Sequence, residues 1–248
     1  LDGVDFQHVQ IEAMKLAFAD VYRYVAETAR MTVSAAQLLD SGYLASRARQ
    51  IDMGRAQHFE AGTPDDVHRR GGTIYLSAAD ERGMMVSFIQ SNYMGFGSGV
   101  VVPGYGLSMQ NRGHAFSLDA GSPNLVAPGK RPFHTIIPAF LTKDGAPQMS
   151  FGVMGGNMQP QGHLQTLVRM LDFGQEPQAA CDAPRWRFNQ GLSINVEATM
   201  PAATRAAEDA EHVTNEPAAT LLLPYFEAQV PSKIGGKPKG INTIFSIN

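Results

Sequence analysis

Over residues 5–30 the apolar positions recur at three- and four-residue steps. In VQIEAMKLAFADVYRYVA, Val9, Met14, Ala17, Phe18 and Val21 alternate with Glu12, Lys15 and Asp20, a period that predicts an amphipathic helix. A second helix is predicted over 34–51, with Ser34 as N-cap and Leu38, Leu39 and Tyr43 along one side. Residues 52–72, DMGRAQHFEAGTPDDVHRRGG, lose all periodicity and read as an exposed linker or loop. Beyond Gly72 the period becomes two. TIYLSAA (73–79) and MMVSFIQS (84–91) flank a turn at 80–83, which predicts a hairpin. IIPAFLT and APQMSFGVM flank Lys143-Asp144-Gly145 and predict a second. The chain then passes Gly155-Gly156 into a helix near Pro160, with Leu164, Leu167, Val168 and Leu171 as its apolar stripe and Gly174 as its stop. Residues 200–220, Ala-rich and acidic, read as helical or loosely ordered. Strands and helices are grouped rather than alternating, so the expected class is α+β.

Composition narrows the function classes. With 248 residues the chain has one large domain or two small ones. Only 17% of residues are charged while 25 are Gly and 15 Pro, so many tight turns are expected. A net charge of −3 argues against a nucleic-acid partner, which calls for a basic surface. A single Cys excludes a disulfide within the chain and a Cys-rich metal site. No apolar run approaches the roughly 18–20 residues of a membrane-spanning helix. The first residues carry no basic or apolar leader pattern, and the chain does not begin with Met. A leader before Leu1 therefore stays open, and with it a cytoplasmic or periplasmic location.

Several motifs have bland readings. GFGSGVVVPGYG is followed by no helix where a dinucleotide site needs one, so it reads as a turn-rich loop. The seven His are scattered without metal-ligand spacing, and Cys181 reads as a small buried hydrophobe. Two places are more informative. At Gly72-Thr73 a linker ends and a strand begins on a hydroxyl residue. This is either an ordinary linker-to-strand boundary or a self-cleavage junction. In the second case a freed Thr73 would use its own α-amine, of ordinary pKa about 7.7–8.0, as base. Gly155-Gly156, between a strand and a helix, is either a tight turn or a pair of N–H donors for an oxyanion.

The chain resembles the γ-glutamyltranspeptidase family of N-terminal-nucleophile hydrolases, and within it the cephalosporin-acylase-like branch. The resemblance is carried by EAMKLAFAD (12–20), LLDSGYLASRARQID (38–52), GGTIYLSAADERGMMVSFIQSNY (71–93), GSGVVVPGYGLSMQNR (97–112), GKRPFHTIIPAFLTKDG (129–145), MGGNMQPQGHLQ (154–165) and DAPRW (182–186), in the family's order. It implies a four-layer αββα sandwich, self-cleavage between Gly72 and Thr73, Thr73 as nucleophile, and Ser91 as a hydroxyl supporting it. It further implies Gly155 and Gly156 as the oxyanion pair, and Asn111, Arg112, His134 and Thr135 as substrate-binding residues. The implied activity is cleavage of γ-glutamyl or related acyl amides through an acyl-Thr intermediate, as hydrolase or acyltransferase, with no cofactor and no metal.

The chain also departs from the family. Residues 1–72 match only the end of the family's large subunit and 73–248 the small-subunit region, so the rest of the large subunit is an implied partner. Self-association stays open. Arg112-Gly113-His114-Ala115 offers no acidic residue for a substrate ammonium, His134-Thr135 replaces a serine pair, and Asn157 stands where the acylase-like branch has Asp. The segment GGKPKGINTIFSIN does not match the family's usual ending. The alternative function is an incomplete, unprocessed or catalytically silent homologue.

Overall fold

The computed structural model describes residues 1–60 and 73–214. In chain order the elements are α1 (Val4–Tyr24), α2 (Ala35–Leu38), α3 (Ser41–Ala48), β1 (Thr73–Ala79), β2 (Met85–Ser91), β3 (Val101–Val102) and β4 (Leu107–Ser108). There follow β5 (Ala139–Lys143), β6 (Ala146–Phe151), α4 (Met158–Leu171), α5 (Pro177–Asp182), β7 (Trp186–Gln190), β8 (Ser193–Val196), α6 (Ala202–Glu211) and β9 (Val213–Thr214). Short 3-10 turns lie at Thr28–Arg30 and Arg112–Ala115. The strands form separate ladders, β1-β2, β3-β4, β5-β6 and β7-β8-β9, all antiparallel except the β8-β9 pair. This is the α+β class that the hydrophobic pattern predicts. Residues 61–72 of the expected linker, 215–220 of the Ala-rich stretch and the GGKPKGINTIFSIN segment lie outside the described residues.

Two helix boundaries differ from the sequence expectation for local reasons. The first helix ends at Tyr24, because Val25 turns to an extended backbone. The helix expected over 34–51 is two helices. Ser34 does cap the first, in a reciprocal arrangement with Gln37. Asp40 then caps a second by accepting the Tyr43 N–H, so a short acidic side chain competes with the continuing helix and restarts it.

One compact unit comprises residues 1–60, 113–134 and 184–214. Ile11, Met14, Phe18, Trp186 and Ile194 are buried within it, and the rings of Phe18 and Phe188 lie 6.0 Å apart. The stripe on α1 is only partly the apolar one: Val9 and Ala17 are exposed, while Glu12 and Lys15 are buried. Their burial is compensated. Lys15 Nζ lies 2.5 Å from Glu12 Oε1, and the Gln57 N–H donates to Oε2. His212 Nε2 stands 3.6 Å from Glu12, and its Nδ1 is 3.0 Å from Glu208. Burial alone would raise the Glu12 carboxyl, but bonds from His212 and Lys15 hold it below its ordinary value. Burial alone would lower His212, but Glu12 and Glu208 raise it. Covering this face of α1 draws in α6 and β7.

The other unit comprises residues 73–112 and 135–183. Its core holds Tyr75, Ile89 and Met154, with Ile136 packed against them. The β1-β2 and β5-β6 hairpins are joined through hydroxyls: Ser77 bonds Ser150, and Ser87 Oγ donates to the Phe151 carbonyl at 3.2 Å. Tyr75 OH and Ser87 Oγ are 2.9 Å apart. Gly152 lets the β6 backbone pass over the Tyr75 ring, where an added Cβ would lie 2.4 Å from ring atoms.

Helix α4 begins at Met158, with Pro160 in its first turn as the sequence predicts. The buried face is not the expected one. Leu171 is exposed, whereas Met158, Gln161, Gly162, Gln165 and Arg169 face inward. Gly162 selects this face, because Val153 packs where a Cβ would otherwise stand. Gln161 and Gln165 donate to the Asn157 and Gln161 carbonyls four residues back, which satisfies their buried amides.

Two outcomes follow. Glu12→Gln should lower stability by about 3–5 kcal/mol in denaturant titration, because it leaves buried cations short of an anion. In the unmodified chain the Glu12 contribution is present above its ordinary 4.5 and fades as pH falls through the lowered value. The His212 contribution is full below 6.5 and fades as pH rises through the raised one. Gly152→Ala should cost about 1–3 kcal/mol by overpacking against Tyr75, read as a lower unfolding temperature.

Candidate active site

The β1-β2 register sets Thr73 directly opposite Ser91, at the open end of the hairpin. Residues directly opposite in an antiparallel pair project to the same face. That face is the inner one: Tyr75 and Ser77, in step with Thr73, are each 2% exposed, while Ile74 and Leu76 are exposed. Thr73 itself is half-buried. Ser91 Oγ accepts the Tyr93 N–H at 2.8 Å and Arg112 Nη2 at 2.9 Å. Its own O–H, like the Thr73 hydroxyl, meets no partner among the described residues.

The loop after β2 is held in an unusual conformation. Tyr93 has φ 75°, in the left-handed region that bulky side chains rarely adopt. Asn111 fixes the loop. Its Oδ1 accepts the Met94 N–H, and its Nδ2 donates to the Met94 and Gly97 carbonyls. Gly97 is required by close approach, since an added Cβ would lie 2.3 Å from the Met109 carbonyl oxygen. The chain then turns at Arg112, whose guanidinium is buried, donates through Nη1 to Thr135 Oγ1 at 3.1 Å, and lies 5.2 Å from the Tyr93 ring centre.

Gly155 and Gly156 have φ values of 114° and 60°. They form the turn into α4, whose Met158 and Gln159 N–H groups bond the Gly155 and Gly156 carbonyls. The N–H groups of the two glycines have no acceptor among the described residues, and they sit at the positive end of the α4 dipole. The preceding residue, Met154, packs on Tyr75 and Ile89, which lie two residues in from Thr73 and Ser91. Ile136, beside Thr135, joins the same cluster. One core thus supports the glycine turn, the hairpin end and Thr135.

The structure links Ser91, Arg112 and Thr135 directly, with Thr73 beside Ser91 in the ladder. It commits both N–H bonds of the Asn111 amide to the loop. His134 is exposed and falls in the other unit. Gly72 lies outside the described residues. Tyr93 was missed by the sequence reading, where the only sign was that the period of two stops at Ser91. Among the described residues no three His, Cys, Asp or Glu side chains converge as a metal site, and no helix is long and apolar enough to cross a membrane.

Several known proteins are similar to this chain. A family model described as gamma-glutamyltranspeptidase matches residues 2–218. The glutathione hydrolase-like YwrD proenzyme of Bacillus subtilis is 38% identical over 73% of this chain and 34% of its own length. The oxamate amidohydrolase proenzyme of Klebsiella pneumoniae is 38% identical over 75% of this chain and 34% of its length. The chain therefore spans about a third of these curated relatives. The crystal structure of cephalosporin acylase from Bacillus halodurans is 52% identical, with a TM-score of 0.79 over 88% of this chain and 40% of that one. The chain belongs to the γ-glutamyltranspeptidase family, in its acylase-like branch.

Proposed function

We propose that the protein to which this chain belongs is a self-processing amide hydrolase that works through an acyl ester on Thr73. The observation that carries this reading is the pairing of Thr73, first residue of β1, with Ser91 on the inner face of the hairpin. Cleavage between Gly72 and Thr73 would free an α-amine beside the hydroxyl. The amine takes the hydroxyl proton as Oγ attacks the amide carbonyl, then returns it to the leaving amine. Water attacks the ester in the second half-reaction and releases the carboxylic acid. An amine can take the place of water, which makes the same site an acyltransferase.

Ser91 supports this chemistry through its O–H, which meets no partner among the described residues and is available to the neighbouring hydroxyl. The N–H groups of Gly155 and Gly156 serve the oxyanion, because they have no acceptor among the described residues and the α4 dipole favours negative charge there. Thr135 acts through Arg112, and Asn111 shapes the loop that carries them. The names of the relatives, a glutathione hydrolase-like proenzyme, an oxamate amidohydrolase and a cephalosporin acylase, support an amide as substrate and processing from a precursor. The fold proposed for the complete protein is the four-layer αββα sandwich that the resemblance implies, with the remainder of the large subunit supplying the rest.

In the complete protein, Thr73→Ala should leave one uncut chain on a denaturing gel, while the unmodified protein gives two pieces with Thr73 at a new terminus. Cleavage of the Ala variant at the same bond would assign processing to an external protease and remove the mechanism. Gly155→Ala should lower turnover by about 100- to 1000-fold, since φ 114° is closed to an L side chain and the peptide must rotate its N–H away. Steady-state kinetics on folded, processed variant check this, with an unchanged kcat counting against the assignment.

A further inference from the structure

Ser91 Oγ receives two donors at once. The Tyr93 N–H reaches it at 2.8 Å and Arg112 Nη2 at 2.9 Å. A serine hydroxyl has two lone pairs and one proton. Both lone pairs are therefore engaged, and toward any further partner Ser91 is a donor only. Both donors are held in place. The Tyr93 N–H belongs to a residue fixed at φ 75°. The Arg112 guanidinium is buried, with Nη1 on Thr135 Oγ1 at 3.1 Å and its central carbon 5.2 Å from the Tyr93 ring centre. Arginine keeps its proton in proteins, so this donor does not titrate away.

We propose that Arg112 is a positioning residue for the nucleophile: by filling the second lone pair of Ser91, it fixes the direction of the hydrogen bond between Ser91 and Thr73, with Ser91 as donor. This rests on the assignment of Thr73 as nucleophile. The two residues are directly opposite in the ladder, where Cβ atoms are about 4.5–5.5 Å apart, within reach of a bond between two short hydroxyls. Such a pair has two polarities. If Thr73 donates, its proton is turned toward Ser91 and away from the α-amine that must take it. If Ser91 donates, the Thr73 proton is left for the amine, and Oγ gains a donor that steadies the negative charge developing during attack. Arg112 selects the second polarity. A cationic donor on Ser91 Oγ also polarises the Ser91 O–H and strengthens the bond it gives. Ser91 keeps its proton throughout, and only the Thr73 proton moves, to the amine and then to the leaving group. Thr135 anchors the guanidinium from the other side, because the planar fork reaches both hydroxyls at once.

The test is a double-mutant cycle in the complete, processed protein, with glutaryl and γ-glutamyl p-nitroanilides as probes. Arg112→Met should lower kcat by about 10- to 100-fold, the range of a hydrogen bond to a charged group, while KM moves by less than about threefold. In a Ser91→Ala background the same substitution should cost less than about threefold, because the hydroxyl it orients is gone. Thr135→Val, which keeps the side-chain shape and removes one anchor of the guanidinium, should lower kcat by about three- to tenfold, again only while Ser91 is present. An equal loss in both backgrounds makes Arg112 a structural support and overturns the inference, as does an unchanged kcat. A rise in KM at constant kcat assigns Arg112 to substrate binding and overturns it too. In each of these cases the hydrolase reading stands. If Arg112→Met does not fold or process itself, the Thr135→Val cycle decides alone. Hydrolysis of neither anilide by unmodified protein with Thr73 at its terminus overturns the hydrolase reading and this inference with it.

Discussion

The site depends on one constraint, the register of the first hairpin. Because side chains alternate along a strand, slipping the β1-β2 pairing by one residue would turn Thr73 outward with Ile74's neighbours and bury Ile74 and Leu76 instead. Four hydroxyls, in two bonds, oppose such a slip. Ser77 meets Ser150 on the adjoining hairpin, and Tyr75 and Ser87 bond each other across the ladder. The aromatic ring of Tyr75 fills the space that Gly152 vacates. Packing and polar bonding therefore fix the same register, and the position of Thr73 is its consequence.

The two compact units handle buried charge in different ways. Around α1, Glu12, Lys15, Glu208 and His212 offset one another, and the cluster carries both signs. In the hairpin unit Arg112 is held, among the described residues, by neutral hydroxyls and an aromatic ring, which position its charge. A self-neutralised cluster holds elements together.

Much of the remaining site is backbone. The glycine turn contributes N–H groups rather than side chains, and its geometry is set by positive φ values and by the start of α4. Asn111 and Gly97 likewise act on loop shape, one through amide bonds and the other by close approach. A scaffold of this kind ties chemistry to packing: Met154, one residue before the turn, belongs to the same core as the residues flanking Thr73 and Ser91.

The sequence by itself determined the local elements. The period of two over 73–91 places the hairpin and its turn, Ser34 marks a helix start, and Gly155-Gly156 marks the passage from strand to helix. It also brought Thr73, Ser91, Arg112 and Thr135 forward as candidates through family resemblance. Tertiary structure decided which faces are buried and which candidates meet. Periodicity counts apolar residues, so it could not foresee that α1 buries Glu12 and Lys15 or that α4 buries Gln161 and Gln165, whose compensation comes from specific partners. Nor could it show that Arg112 bonds Ser91, 21 residues away, and Thr135, 23 residues away, because such contacts arise only when the loop between them has closed.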